Sequence, residues 1–495
     1  MTEPGGSGQG RSDMRLTSPL ALLLIFAFLL RLAAYAVFGG IVHADEIFQY
    51  TEQAHRLVFG QGLVPWEYRL GIRSWLFPGM LAGVMAAARL ISAGPVVQNA
   101  AVALFMALVS LPTVACAFLW AQRAGGAAAG WAAGMLVAAW PDALLVSVHP
   151  LIDSAGADAL IPGLFMLEQA ARTGAALRAG SLLGLALALR PQLLPVVAVA
   201  GLRFSRGKSW RLGARTAAAM AAPVLAAGLL DWLTLGGPFA SLIRYVAINR
   251  AGAANYYGIE AWYHYLLVLP FSAGWLFFAL VPLVWIGAKR LAWPGIYAGV
   301  ILLSFSLIAH KEFRFVLAAF PLLLTVAGVG AAMLLAFARG KPVGQRGGMA
   351  LGVVCAAVSL VNAPFTGGAK LWLRGTGMVA AEHRVSADPT ACAVAVVPPT
   401  LWYVTGGYTH LRPGIRITGF DPRAGANASG FDYAVTGQET DLTAFGLMRV
   451  ACWRNMLASE IMPQVCLWHH AVPCAPAPEL RLPAPPFLQA KPLNR

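Results

Sequence analysis

Two neighbouring carboxylates, Asp45 and Glu46, lie in the polar stretch His43-Ala44-Asp45-Glu46-Ile47-Phe48-Gln49-Tyr50, which directly follows the first long apolar run of the chain. Such a pair suits a reaction that needs a base at a membrane surface, because one carboxylate can be ionised while the neighbouring charge raises its basicity. Further polar stretches follow: Trp66-Glu67-Tyr68-Arg69, Gly71-Ile72-Arg73-Ser74, Arg190-Pro191-Gln192, Tyr257 to Tyr265 and His310-Lys311-Glu312-Phe313-Arg314. The cations His310, Lys311, Arg314, Arg73 and Arg190 can supply the charge-assisted bonds that a lipid phosphate needs, arginine in bidentate form. Trp66, Tyr257 and Trp262 can pack on a sugar ring, and equally can serve as interfacial belt residues of a membrane protein. Taken alone, Asp45-Glu46 also reads as the solvated start of an interfacial helix.

The elements that must position these residues are set by composition. Of 495 residues, 58% are hydrophobic and 12% charged, whereas a soluble domain carries about 25% charged residues. Eleven apolar runs recur between residues 17 and 364 and then stop, so residues 1–365 read as a membrane body of about 11 transmembrane helices and 366–495 as a second, water-exposed domain. The formal charge of +15 does not point to nucleic acid, because Lys and Arg fall in short loops between the runs, where they act as topology markers. The first run, preceded by Arg11 and Arg15, continues through Arg31 to Phe38 and reads as an uncleaved anchor.

If the basic clusters share the cytoplasmic side, Trp75 to Ile91 must lie along the membrane rather than across it, and 41–92 becomes one large outer loop with interfacial helices. The runs 177–189 and 192–204 are too short to cross and meet at Arg190-Pro191-Gln192, a broken pair around a cavity. The same parity puts 366–495 outside, where four of six cysteines lie and disulfides can form. Of three possible connectivities, Cys466–Cys474 with Cys392–Cys452 is the preferred one. Alternating runs at Ala391–Val397, Ile415–Thr418 and Asp432–Val435 predict a small α+β or β-rich domain, and Asn427-Ala428-Ser429 is a glycosylation sequon.

The order of the motifs is more specific than any one of them. His-x-Asp-Glu, Glu-Tyr-Arg-x-Gly-x-Arg-Ser, Arg-Pro, an Asp231-to-Tyr257-Gly258 block and His-Lys-Glu-x-Arg-Phe together resemble glycosyltransferase family 22, the lipid-phosphate-mannose-dependent α-mannosyltransferases of GPI-anchor and N-glycan assembly. The resemblance covers about residues 15–340. Ala44, Phe313 and His264 depart from the usual pattern of Pro, Glu and Trp.

What the resemblance implies is a GT-C fold and an inverting transfer of mannose from a polyprenyl-phosphate donor to a hydroxyl of a glycolipid or glycan acceptor, on the extracytoplasmic face. Asp45 is then the base and Glu46 its orienting partner. His310, Lys311, Arg314, Arg73 and Arg190 bind the donor phosphate; His43, Arg69, Trp66, Tyr257, Trp262, His264 and Glu312 contact sugar or acceptor. No cofactor is called for, a divalent metal being left open, and no metal ligands are assigned. Ala- and Gly-rich spans with many Arg suggest a bacterial plasma membrane; a eukaryotic chain would sit in the endoplasmic reticulum with the same topology. Two rival readings are a transporter or flippase of a lipid-linked sugar and a non-catalytic GT-C-like assembly subunit.

Overall fold

The computed structural model describes residues 18–170, 173–206, 208–372, 374–424, 428–454, 462–471 and 474–485. The basic markers Arg11 and Arg15 and the sequon residue Asn427 lie outside them. Ser18 opens the first helix, Pro19–Phe38, by accepting the Ala21 N–H at 3.2 Å, with Pro19 in the first turn where no N–H is needed. Six helices among the described residues are long and apolar enough to cross a membrane: Pro19–Phe38, Pro95–Ala139, Trp210–Leu235, His264–Ala288, Ala319–Ala338 and Gln345–Phe365. Four shorter apolar helices accompany them, Leu76–Arg89, Thr173–Leu189, Pro191–Ser205 and Trp293–Ser306.

Among the described residues the eleven apolar runs fall mainly on helices, yet six helices meet both criteria: Thr173–Leu189, Pro191–Ser205 and Trp293–Ser306 are too short, and two more runs fail for other reasons. Pro95–Ala139 is two rods joined at Gly126, whose φ of 77° breaks the helical path. Ile152–Gln169 carries Asp153, Asp158 and Glu168, which lowers its hydropathy although Asp153 is buried. The chain is thus a multi-pass helical membrane protein. Lipid gives no hydrophobic drive between helices, so close backbone approach matters. Gly180 and Gly184 provide it, since a Cβ on Gly184 would stand 2.1 Å from the Met220 carbonyl oxygen. That contact joins Thr173–Leu189 to Trp210–Leu235.

After Phe38 the chain passes Asp45 into a π-helical turn, Glu46–Thr51, continuous with the helix Glu52–Phe59 that Gly60 ends at a φ of 76°. Single π turns in longer helices are frequent at functional sites. Trp66–Arg69 and Leu76–Arg89 complete the loop.

The second domain is a mixed sheet with one packed helix, Thr376–Ser386. Its strands are β1 Ala393–Val397, β2 Arg416–Gly419, β3 Tyr433–Gly437, β4 Met448–Arg454 and β5 Gln464–His469, in the order β2-β1-β3-β5-β4. β1 runs parallel to β2 and β3; β5 runs antiparallel to β3 and β4. One core joins this sheet to the first loop: Val394, Ile417, Val435 and Leu467 pack with Ile41, Ile47 and Phe48. The fully buried Glu52 carboxylate accepts the Leu63 and Tyr408 N–H groups at 2.8 and 3.1 Å, and the Arg69 guanidinium donates to the Leu482 carbonyl at 2.7 Å. The domain is therefore built onto the loop that carries Asp45.

The disulfides correct the expected pairing: they are Cys392–Cys474 and Cys452–Cys466. Strand register explains the second, because Cys452 and Cys466 face each other across β4 and β5. The first ties the start of β1 to the segment after β5 and closes the longer loop, 82 residues against 14. Loop-closure entropy assigns it about 4–5 kcal/mol, against about 3 for the shorter loop, as upper figures. Cys392→Ser is expected to lower the thermal midpoint more than Cys452→Ser in a melt of purified protein, and the reverse order would contradict the loop-length argument.

Candidate active site

The short turn after the helix Trp293–Ser306 delivers Arg314 into the centre of three carboxylates. Its Nη2 stands 2.7 Å from Asp45 Oδ2, its Nε donates to Glu312 Oε2 at 2.6 Å, and its Nη1 donates to Asp153 Oδ2 at 3.3 Å. A second Glu312 oxygen takes Nη2 at 3.1 Å. Asp153 opens the helix Ile152–Gln169, and its other oxygen lies 2.8 Å from Arg190 Nη2. Charges therefore alternate along one line, Asp45, Arg314, Asp153, Arg190.

Histidines flank the line. His43 Nε2 is 3.3 Å from Glu312, and its Nδ1 accepts the Asp45 N–H at 3.0 Å. His310 bridges Glu312 at 3.0 Å and the Gly258 carbonyl at 3.1 Å. Burial by itself raises the Asp45 carboxyl, but Arg314, His43 and Arg73 outweigh it and hold the group below its ordinary value. Glu312 follows the same logic more strongly, with Arg314, His310 and His43 against burial. The hydrogen bond to Glu312 in turn raises His310. Both carboxylates are thus charged at neutral pH.

Arg190 and Arg73 line a cleft of about 120 Å³ together with Tyr50, Tyr68, Gln192, Asp231, Ser241 and Tyr245. The broken helix pair foreseen at Arg190 exists: Arg190 takes φ −136° and ψ 85° between two helices, so its side chain emerges where backbone pairing is interrupted. Its guanidinium lies 5.2 Å from the Phe315 ring centre. Arg73 rests over Tyr245 at 5.5 Å, and among the described residues its buried Nε has no hydrogen-bond partner. A buried donor without an acceptor is costly, and a ligand oxygen can satisfy it. Asp231 does not face a cation here; its carboxylate accepts the Ser241 N–H and hydroxyl at 2.9 and 2.5 Å.

Other expected site residues are placed elsewhere. Glu46 turns away from Asp45: it is buried, accepts the Val42 N–H at 3.1 Å and meets the buried His149 at 3.1 Å. Lys311 is buried, with Nζ held by the carbonyls of Glu260, Ile308 and Ala309 at 2.9, 2.5 and 3.5 Å, so it ties two loops together rather than facing the cleft. Trp66 is buried with Ile72, Ile248 and Ala253, and Arg69 reaches the second domain. Tyr257 and Trp262 are exposed, Tyr257 with its ring 6.1 Å from His310. His264 pairs with the half-exposed Glu260 at 3.2 Å.

Asp153, His149 and Glu67 carry contacts that sequence reasoning did not assign. Asp153 and His149 belong to the stretch between the third and fourth apolar runs, an outer loop by the same parity that placed the others, so a polar census of that loop finds them. Glu67 is buried beside Gln49, which donates to it at 3.0 Å, and burial pushes its carboxyl up to about 7 despite Arg73.

An ionised carboxylate next to a fixed guanidinium, with two more arginines on a cleft wall, can accept a proton at one end and stabilise a departing anion at the other. The Alg9-like mannosyltransferase family matches residues 22–371. GPI mannosyltransferase 3 of Yarrowia lipolytica is 28% identical over 323 residues, covering 61% of this chain and 60% of the relative, so the match leaves two fifths of that protein's length uncovered. GPI mannosyltransferase 3 of Trypanosoma brucei brucei is 43% identical over 60 residues, 12% of this chain and 11% of its own. Among solved structures, ArnT of Cupriavidus metallidurans bound to undecaprenyl phosphate superposes with a TM-score of 0.62 at 14% identity, covering 92% of this chain and 99% of ArnT. That likeness shows the fold.

Proposed function

Because the chain belongs to the Alg9-like mannosyltransferase family, we propose that it transfers mannose from a polyprenyl-phosphate donor to a hydroxyl of a glycolipid acceptor, with inversion at the anomeric carbon. In this reading Asp45 takes the proton of the acceptor hydroxyl as its oxygen bonds to the anomeric carbon. The bond from that carbon to the phosphate oxygen breaks on the opposite face, its electron pair leaving with the lipid phosphate. Arg190 and Arg73 hold that phosphate, and Arg314 fixes the orientation of Asp45. This reading assigns the chemistry to the extracytoplasmic face, on the side expected from the positions of Lys and Arg between the apolar runs.

One observation carries the reading: Asp45 is linked through Arg314 and Asp153 to the Arg190 that lines the cleft. Support for a lipid phosphate comes from ArnT, whose structure of the same fold has undecaprenyl phosphate bound. The relatives' name, GPI mannosyltransferase, supports a glycolipid acceptor.

Incubating purified protein and extracted membrane lipids with radiolabelled polyprenyl-phosphate mannose tests it. The expected result is label in a new glycolipid with release of polyprenyl phosphate. Donor that crosses a proteoliposome membrane unconsumed would instead indicate a transporter, and donor left untouched would indicate a non-catalytic subunit.

A further inference from the structure

Arg314 is saturated: Glu312 holds Nε and Nη2, Asp153 holds Nη1, and Asp45 pairs with Nη2. Such a guanidinium cannot engage a second anion without giving up one it has. Arg190 differs, because among the described residues its one carboxylate partner is Asp153, and it already lies on the cleft wall. Asp153 is the shared element, with one oxygen on each arginine. It is buried, at 6% exposure, and held at the N-terminal turn of a helix, so it responds by redistributing its contacts rather than by moving into water.

Resting on the donor reading above, we infer that Asp153 is a positioning residue that couples phosphate binding at Arg190 to release of Asp45 from Arg314. As placed, Asp153 divides its charge between two arginines, and Arg314 keeps its grip on Asp45. A donor phosphate that pairs with Arg190 takes over that share. Asp153 then satisfies more of Arg314, whose pull on Asp45 weakens. The base gains proton affinity only when the sugar to be transferred is in place.

The groups facing Asp45 support this direction. His43 approaches from its own turn, Arg73, Glu67 and Tyr50 from the first loop, Tyr257 from the loop before Tyr265, and Glu312 and Arg314 from the short turn. Of the cations among them, Arg314 is the largest contributor holding Asp45 below its ordinary value. Loosening that one contact therefore changes the base more than any other single rearrangement, and Glu312 is left to pull the same way as Asp153.

Calorimetry with polyprenyl-phosphate mannose and no acceptor tests the coupling without turnover. The ligand is a phosphodiester that does not itself titrate near pH 5, so a binding heat that differs between two buffers of unlike ionisation heat reports protons taken up by the protein. Wild type is expected to take up a measurable fraction of a proton on binding at pH 5, Asp45→Asn and Asp153→Asn none, and Asp153→Glu most of the wild-type value. In turnover, the acid limb measured at saturating donor is expected about one pH unit above that at limiting donor, a tenfold change in acid constant, and Asp153→Asn merges the limbs. Binding with no uptake in wild type, or undiminished uptake in Asp153→Asn, overturns the inference and leaves the donor reading intact. Failure of wild type to bind the phosphodiester removes both. Should Asp153→Asn not fold, wild type against Asp45→Asn and Asp153→Glu still decides.

Discussion

Asp45→Asn is expected to lower turnover by about a thousandfold or more while donor binding and the fold persist. The change is isosteric and removes the charge and proton affinity of the side chain, whose oxygen can still accept from Arg314. Two effects compete. Loss of an ion pair that is partly open to solvent costs on the order of 1 kcal/mol of stability, and it frees part of Arg314, so donor affinity stays level or rises. Loss of general-base catalysis costs about 10²–10⁴ in rate, or roughly 3–5 kcal/mol in the barrier. The second effect dominates kcat. Single-turnover rates and donor binding measured on the same preparation separate the two. Turnover within tenfold of wild type at neutral pH would mean that another group takes the proton, and Glu312, across Arg314, is the carboxylate to test next.

How far this site is legible in sequence depends on what each residue needs in order to be read. Asp45, Arg190 and Arg314 are legible because charge is scarce in a lipid-adapted chain and each sits at a break between apolar runs. Direction is not legible. Lys311 looks like a phosphate ligand by type and place, but three carbonyls within reach satisfy its ammonium. Glu46 follows Asp45 in sequence, and about 100° of helical rotation turns it towards His149 instead. Asp153 escapes notice because it stands at the mouth of an apolar run with no basic neighbour in sequence; its partners lie 37 and 161 positions away.

The second domain shows the same limit at larger scale. Apolar alternation finds β1 to β3 to within about two residues, because period-two burial is a local signal. Cysteine pairing follows from which strands are neighbours, and the crossover that sets β5 between β3 and β4 has no local signature. The boundary near 366 marks where apolar runs stop. It does not mark where packing stops, since Phe48 and Ile41 of the first loop share a core with Val394 and Val435.

The second large effect is expected at Arg314. Arg314→Gln leaves Asp45, Glu312 and Asp153 facing one another without the cation that all three contact. Breaking a buried ion pair by removing one partner costs about 3–5 kcal/mol when the remaining charge is left uncompensated; here three carboxylates lose their shared partner, while Asp153 keeps Arg190 and Glu312 keeps the histidines. The variant is expected to be inactive and to melt several degrees below wild type at pH 7.5. Its pH dependence separates this cause from simple loss of packing. In wild type, Asp45 and Glu312 have folded pKa values depressed below their unfolded ones, so their stabilisation is present above about pH 4 and is lost as the pH falls through the folded values. Without the guanidinium, mutual repulsion and burial push the same carboxyls above their unfolded values. Their penalty is then largest at neutral pH and is relieved as acid protonates them. Groups common to both proteins, such as Glu67, whose carboxyl burial raises to about 7, cancel in the difference, so the gap between the two melting temperatures should narrow as the pH falls from 7.5 to 5. Arg314→Lys, which returns the charge without the planar fork, should recover most of the stability and little of the activity, because one ammonium cannot reach three carboxylates in this geometry. A gap between wild type and Arg314→Gln that does not change with pH would assign the loss to packing and remove Arg314 from its place as the cation that governs Asp45.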